Sequence, residues 1–386
     1  MNVRRWASPL AASLLTVVAA AGTATATDPN AINWGPATTL RDANGVELQD
    51  ADFSRRNVVV TWQEPGSGGP KVRIRRSVDS GSSFGPTISV TDARQASVDI
   101  CGPSLLVAAW ARMYGPGNWV IEEAFIDNST MSVGVVNISA GVQRFPDIAC
   151  AGGRKFVTWY QKEGANDRLQ VAHALRTGAA FSAPIDLGVD DGSFFGRANS
   201  LAVAGVPGAA YVAFTRSDGQ LRFKRWSIGS GPDFAVTPHA GHVIGSGIAS
   251  NPAADTVIAA DGDKVAVAWF KCNAIYARVS NDRGAHWGPV RKLLTHQACT
   301  GDFGADPRSI AIHGGKIVVA YLAFGLGSPG WVGVIRTSND FATHTDETIA
   351  HTGQNEHLVG FVKAGGIYRL AGAFDSGDSV RFRRQQ

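Results

Sequence analysis

The chain has 386 residues, 44% hydrophobic and 18% charged, with 45 Gly, 10 Trp and a formal net charge of +4. So few charges exclude a coiled coil, and this apolar content at weak net charge excludes a disordered chain. The small positive charge gives no reason to expect a nucleic-acid partner.

Residues 1–26 read as a secretory signal peptide. Arg4 and Arg5 form a positive start, Leu10 to Ala21 an apolar stretch, and Ala24-Thr25-Ala26 a small-x-small cleavage site. The apolar stretch is too short to span a membrane, and nothing later reaches about 18 apolar residues in a row. The protein is expected to be secreted, periplasmic or extracellular, with residues 27–386 as one domain. Asn33-Trp34-Gly35-Pro36 and the strand at Thr38–Leu40 then read as the tail of a repeat.

The repeat continues along the chain. Apolar runs ending in an aromatic lie at Val58–Trp62, Leu106–Trp110, Phe156–Trp159, Tyr211–Phe214, Val265–Trp269 and Ile317–Tyr321. A seventh, Tyr368–Ala373, has Gly372 at the aromatic position. The steps are 48, 49, 55, 55, 52 and 51 residues. Each run has an apolar stretch before it and an alternating strand after it, such as Val72–Ser77 or Ile275–Ser280. A fourth stretch closes the unit, such as Thr87–Val90. Four strands in about 50 residues make a propeller blade. The last unit stops after its third strand, at Val380–Arg383, so the N-terminal strand should complete it. The expected fold is all-β: a seven-bladed β-propeller of four-stranded blades, closed by the N-terminal strand.

The turn after the third strand carries a motif. Ser77-Val78-Asp79-Ser80-Gly81-Ser82-Ser83-Phe84 and Ser280-Asn281-Asp282-Arg283-Gly284-Ala285-His286-Trp287 both fit Ser-x-Asp-x-Gly-x-x-aromatic. The pattern resembles the Asp-box (BNR) repeat of sialidase-like propellers. That resemblance implies a turn staple away from the ligand face. It also implies a glycan-directed protein. The catalytic pattern of the sialidases is not matched, and no catalytic residue is carried over from them.

Topology sorts the four cysteines. Cys101 and Cys150 follow first strands of neighbouring blades, on one face. Cys272 follows a second strand and Cys299 lies between blades, on the other face. The expected disulfides are therefore Cys101–Cys150 and Cys272–Cys299. Second strands end in Glu64, Arg112, Gln161, Arg216 and Lys271. First strands open with Asp52, Arg144, Arg197, Arg308 and His357. Arg112, Arg144, Arg197, Arg216, Lys271 and Arg308 would form a cationic funnel suited to a carboxylate or sulfate. Glu64, Asp52 and Glu163 are the candidate acids for a glycosidase, which needs two carboxyl groups about 5 to 9.5 Å apart. Tyr160 is the candidate base or nucleophile, and a uronate-acting lyase could use such a tyrosine. The expected function is to bind or process extracellular glycans, anionic ones in view of the arginines, or alternatively to serve as a non-catalytic lectin or protein-docking scaffold. No metal spacing, phosphate loop or dinucleotide fingerprint is present, and no cofactor is expected.

Overall fold

A computed structural model describes residues 34–386 apart from 116, 128–129, 137–141, 164–165, 179, 190–200, 232, 247–255, 272–273, 296–304, 326–327, 339, 352–356 and 376–378. Every regular element among the described residues is a strand. No helix there is long and apolar enough to cross a membrane. The expected signal peptide at 1–26 lies outside the described residues, as do Cys272 and Cys299.

The second strand of each unit shows why these residues form sheet. Asn57–Glu64 is rich in β-branched residues and buried along nearly its whole length. Such a strand must be covered on both faces, and packing between neighbouring sheets does this. Val59, Val72 and Ile74 meet Val98, Leu106 and Trp110 of the next sheet. Trp62, Trp110, Trp159, Phe214, Trp269 and Tyr321 are all buried at this position.

The strands form seven sheets, numbered here as blades in chain order. Blade 1 joins Glu47–Ser54, Asn57–Glu64, Lys71–Ser77 and Ile88–Thr91. Blade 2 joins Ala93–Ile100, Leu105–Gly115, Asn118–Asp127 and Thr130–Val135. Blade 3 joins Gln143–Ala151, Arg154–Glu163, Asn166–Leu175 and Ile185–Val189. Blade 4 begins with Leu201–Val206, Ala209–Thr215 and Leu221–Ile228. Blade 5 joins Thr256–Asp261, Lys264–Lys271, Ala274–Ser280 and Arg291–Thr295. Blade 6 joins Ala305–His313, Lys316–Gly325, Ser328–Ser338 and Thr345–His351. Blade 7 takes His357–Ala364, Ile367–Asp375 and Ser379–Arg384, and Thr38–Asp42 is its outer strand. Thr38 lies opposite Phe382, and Asp42 opposite Ser379. One cavity of about 1240 Å³ is lined by the first strand of every blade.

The expectation of uniformly four-stranded blades needs correction. Blade 4 has five strands, because its outer edge is broken in two. Val236–Pro238 pairs with Trp226–Ile228, and His242–Gly245 pairs with Leu221–Phe223. Pro238 has no N–H to continue the ladder. The second strands run on past the ends expected at Arg112 and Gln161, to Gly115 and Glu163.

The two motif turns share one hydrogen-bond pattern. Gly81 N donates to Ser77 Oγ (2.8 Å) and Ser83 N to Asp79 Oδ1 (2.9 Å). Gly284 N donates to Ser280 Oγ (2.8 Å) and His286 N to Asp282 Oδ1 (2.8 Å). Burial pushes the Asp79 carboxyl up, but the donors from Ser83, Ser77 and Ser82 outweigh it and bring it down to about 2. Both turns press on the preceding blade: Phe84 on Phe382 and Trp287 on Phe223, edge to face.

Cys101 and Cys150 are joined, with Cα atoms 5.4 Å apart and a sequence separation of 49. The bond ties blade 2 to blade 3. Replacing both by serine should lower the unfolding free energy by about 2–4 kcal/mol. Urea titration of the double variant checks this, and an unchanged midpoint would show that the bond adds nothing.

Candidate functional site

The channel wall comes first. Neighbouring first strands belong to different sheets and share no backbone ladder. Their buried amides still need acceptors. Side chains supply them from one blade to the next. Asp50 Oδ2 accepts from Val98 N, Asp52 Oδ2 from Ile100 N and Asp147 Oδ2 from Val203 N, each at 2.8 Å. Asp99 accepts from Cys150 N, and Ser309 Oγ from Val359 N. These carboxylates fasten the ring.

Their protonation follows from that position. Burial, then the charge of Asp147, pushes Asp50 up to about 7. Burial pushes Asp147 to about 6. Ser97 Oγ lies 2.8 Å from both Asp50 Oδ2 and Asp147 Oδ1. One hydroxyl hydrogen serves only one of them, so a carboxyl proton on the other completes the chain. Asp52 is raised by burial, and Asp99 well raised by burial and by its contact with Asp52.

The channel mouth between blades 2 and 3 is built differently. Both first strands carry a bulge there, between Arg94 and Ser97 and between Arg144 and Asp147. Each bulge puts a non-glycine residue in the left-handed region, Gln95 at φ 57° and Phe145 at φ 50°. Bulges re-aim the side chains beside them. Here they present two arginines 50 residues apart. Phe145 N donates to Gln95 Oε1 (3.0 Å), which joins the two bulges. Arg144 Nη2 donates to Asp167 Oδ2 at 2.8 Å. The Arg94 guanidinium lies 3.6 Å over the Trp119 ring. No carboxylate among the described residues pairs with it, and its Nε is buried without a partner. Burial, then the charge of Arg144, holds Arg94 below its ordinary value.

The residues expected from the sequence lie elsewhere. Glu64 is buried and receives Trp62 Nε1 (2.9 Å), Arg73 Nε (3.0 Å) and Arg41 Nε (2.8 Å). Burial pushes its carboxyl up, but Trp62, Arg73 and Arg41 outweigh it and hold it below the usual range. Asp52 does not open its strand; Glu47–Ser54 starts earlier, and Asp52 sits in the channel wall. Glu163 is an exposed hairpin residue 3.5 Å from Arg168. Tyr160 is buried edge-on against Phe145. Arg112 pairs with Glu122 (3.3 Å), which also accepts from Trp110 and Tyr114. Arg216 adds to the field that lowers Asp186 and Asp218. Lys271 Nζ donates to Ser246 O at 2.8 Å. The side chains of Arg197, Arg308 and His357 lie outside the described ones. Of the described candidates, Asp52 alone lines the cavity. The reason is radial. A second strand stands about 4.8 Å farther from the axis, and its side chains face the neighbouring blades.

Arg94 and Trp119 were not among the expected residues. The equal 50-residue spacing of Arg94 and Arg144 was the available signal.

No family model matches this chain. No curated protein matches it either. Solved structures do. An ulvan lyase, described as a new polysaccharide lyase family, matches with a TM-score of 0.54 at 9% identity, over 90% of this chain and 95% of that one. The β-propeller domain of the Trilobed protease from Pyrococcus furiosus matches with a TM-score of 0.50 at 10% identity, over 90% and 96%. Trypanosoma rangeli sialidase, in complex with the inhibitor DANA, matches with a TM-score of 0.41 at 13% identity, over 89% and 60%. At these identities the likeness establishes the fold alone: this chain is a β-propeller.

Proposed function

We propose that this propeller binds an acidic glycan at the channel mouth, with Arg94 taking the sugar's carboxylate or sulfate and Trp119 backing the guanidinium. The carrying observation is a cation held over an aromatic ring with no carboxylate among the described residues paired to it. A guanidinium offers a planar fork to such groups. The fold likeness to a polysaccharide lyase supports a glycan as the ligand class. The two motif turns support a place among Asp-box propellers. The disulfide supports export.

Binding is favoured over hydrolysis by Glu64 and Asp52. Glu64 is enclosed by three donors and held ionised, which leaves it no proton to give. Asp52 spends its carboxylate on Ile100 N.

The test is a glycan array followed by titration of the best binder. Arg94→Ala should weaken binding about 10–100-fold, the loss of a charge-assisted hydrogen bond. Unchanged binding in that variant would remove Arg94 from the site. Turnover of uronate polysaccharides or sialosides by the wild type would overturn the non-catalytic reading.

A further inference from the structure

A second group of polar side chains lies between blades 4 and 5, away from the channel mouth. Tyr211 and Arg225 are direct neighbours across two strands. His239 N donates to Arg225 O, which extends the row by one residue. Ser227 Oγ lies 2.7 Å from His239 Nε2. Arg225 Nη2 lies 3.4 Å from both ring nitrogens of His239. The turn of blade 5 reaches this row: Arg225 Nη1 donates to Arg283 O at 3.3 Å.

The donors outnumber the acceptors. A guanidinium has five N–H groups, and Ser227 and Tyr211 each bring a hydroxyl. Apart from the hydroxyl oxygens themselves, the described residues offer Arg283 O and at most one imidazole nitrogen. Tyr211 is fully buried, and its hydroxyl has no partner among the described residues. Charge is unbalanced too. Asp263 pairs with Arg283 at 2.6 Å, whereas no carboxylate among the described residues pairs with Arg225.

Blade 7 shows what the staple alone requires. There Arg384 Nη1 donates to Ser80 O (3.0 Å), the carbonyl equivalent to that of Arg283. The strand neighbour of Arg384 is Ala371, which brings no hydroxyl. Fastening a turn therefore explains Arg225 Nη1 but not Tyr211, Ser227 and His239.

We propose that Arg225, Ser227, His239 and Tyr211 form an oxyanion site for a sulfate or phosphate group, free or esterified to a polymer. A tetrahedral anion accepts from a guanidinium edge and several hydroxyls at once, and it removes the repulsion between Arg225 and a charged His239. Burial and then Arg225 hold His239 below its ordinary value. Arg225 is the charged group that acts on His239, and Arg283, Arg225 and Asp263 act on the neighbouring Tyr211. A bound anion should bring His239 back up.

The test follows the His239 ring by NMR across pH. Its arms are chloride, sulfate, inorganic phosphate and dextran sulfate at matched ionic strength. Sulfate or phosphate should raise the His239 midpoint by about one pH unit, a tenfold preference of the anion for the charged ring. Arg225→Ala should abolish the response, and Arg225→Lys should keep part of it with the fold intact. Arg94→Ala should leave it unchanged, which separates this site from the channel mouth. A response to dextran sulfate alone assigns the anion to a polymer ester; a response to the small ions assigns it to the free ion. A midpoint that moves no more in any oxyanion than in chloride overturns the proposal, as does a full response in Arg225→Ala.

Discussion

Stability falls as pH rises from about 4 to 8, by up to about 4 kcal/mol from Asp50 alone. The folded protein holds Asp50 near 7, against an ordinary value of 3.8. Asp147 is held near 6. Both are raised, so the native state binds protons that the unfolded chain has already released. That contribution is complete below about pH 4 and is lost as pH climbs through 6 and 7. Asp79 acts in the opposite sense. Its folded value of about 2 gives stability that is present above pH 4 and lost as pH falls toward 2. Glu64, Asp186 and Asp218 are lowered too and act with it. The maximum should therefore lie near pH 4–5. Urea unfolding at a series of pH values measures this. Asp50→Asn should flatten the curve above pH 5, since its amide can donate to Ser97 at every pH. A wild-type curve already flat between pH 5 and 8 would mean that Asp50 and Asp147 share no proton.

Alanine at Gly81 or Gly284 lowers the unfolding free energy by about 2–5 kcal/mol. Two costs add. Each glycine is left-handed, at φ 82° and 81°, where a Cβ costs about 1–2 kcal/mol. Each also faces an aromatic ring of the preceding blade. A Cβ at Gly81 would stand 1.9 Å from Phe382, and one at Gly284 would stand 2.3 Å from Phe223. Overpacking of this kind costs about 1–3 kcal/mol more. Gly262 is the control, because its φ is 61° but nothing lies within 4 Å of its Cβ position. Gly262→Ala should cost only the backbone part. Equal losses at Gly81 and Gly262 in urea titration would show that the rings yield, and that contact with the preceding blade does not hold these turns in place.

The parts of this fold that repeat were legible in the sequence. Trp62, Trp110 and Trp159 recur at nearly constant steps because each fills the same seam, and Ser77–Gly81 matches Ser280–Gly284 because each closes the same turn. The site was less legible. A strand run shows which residues are apolar, but not how far from the axis its end stands. Glu64 and Arg112 thus looked like channel residues, though Glu64 pairs with Arg73 of its own blade and Arg41 of blade 7, and Arg112 pairs with Glu122 of its own blade. Arg94 was hidden by its bulge, which shifts the side-chain alternation on which a reading of strand faces depends. Arginine itself misleads in this chain. Arg75 donates to Gly85 O, Leu40 O and Phe84 O, and Arg278 to Gly288 O, Ile244 O and Trp287 O. Many guanidiniums are therefore spent on carbonyls of the scaffold.

Pairing Thr38–Asp42 with Ser379–Arg384 has a consequence for biosynthesis. The outer strand of blade 7 leaves the ribosome before any blade exists, and its partner emerges about 340 residues later. At about 5–20 residues per second, that strand stays without its partner for roughly 17–70 s. Six blades can stack during this interval, but the circle stays open until Ser379–Arg384 emerges. A nascent chain therefore carries an unpaired edge throughout the interval, and any agent that covers Thr38–Asp42 in that window competes with closure.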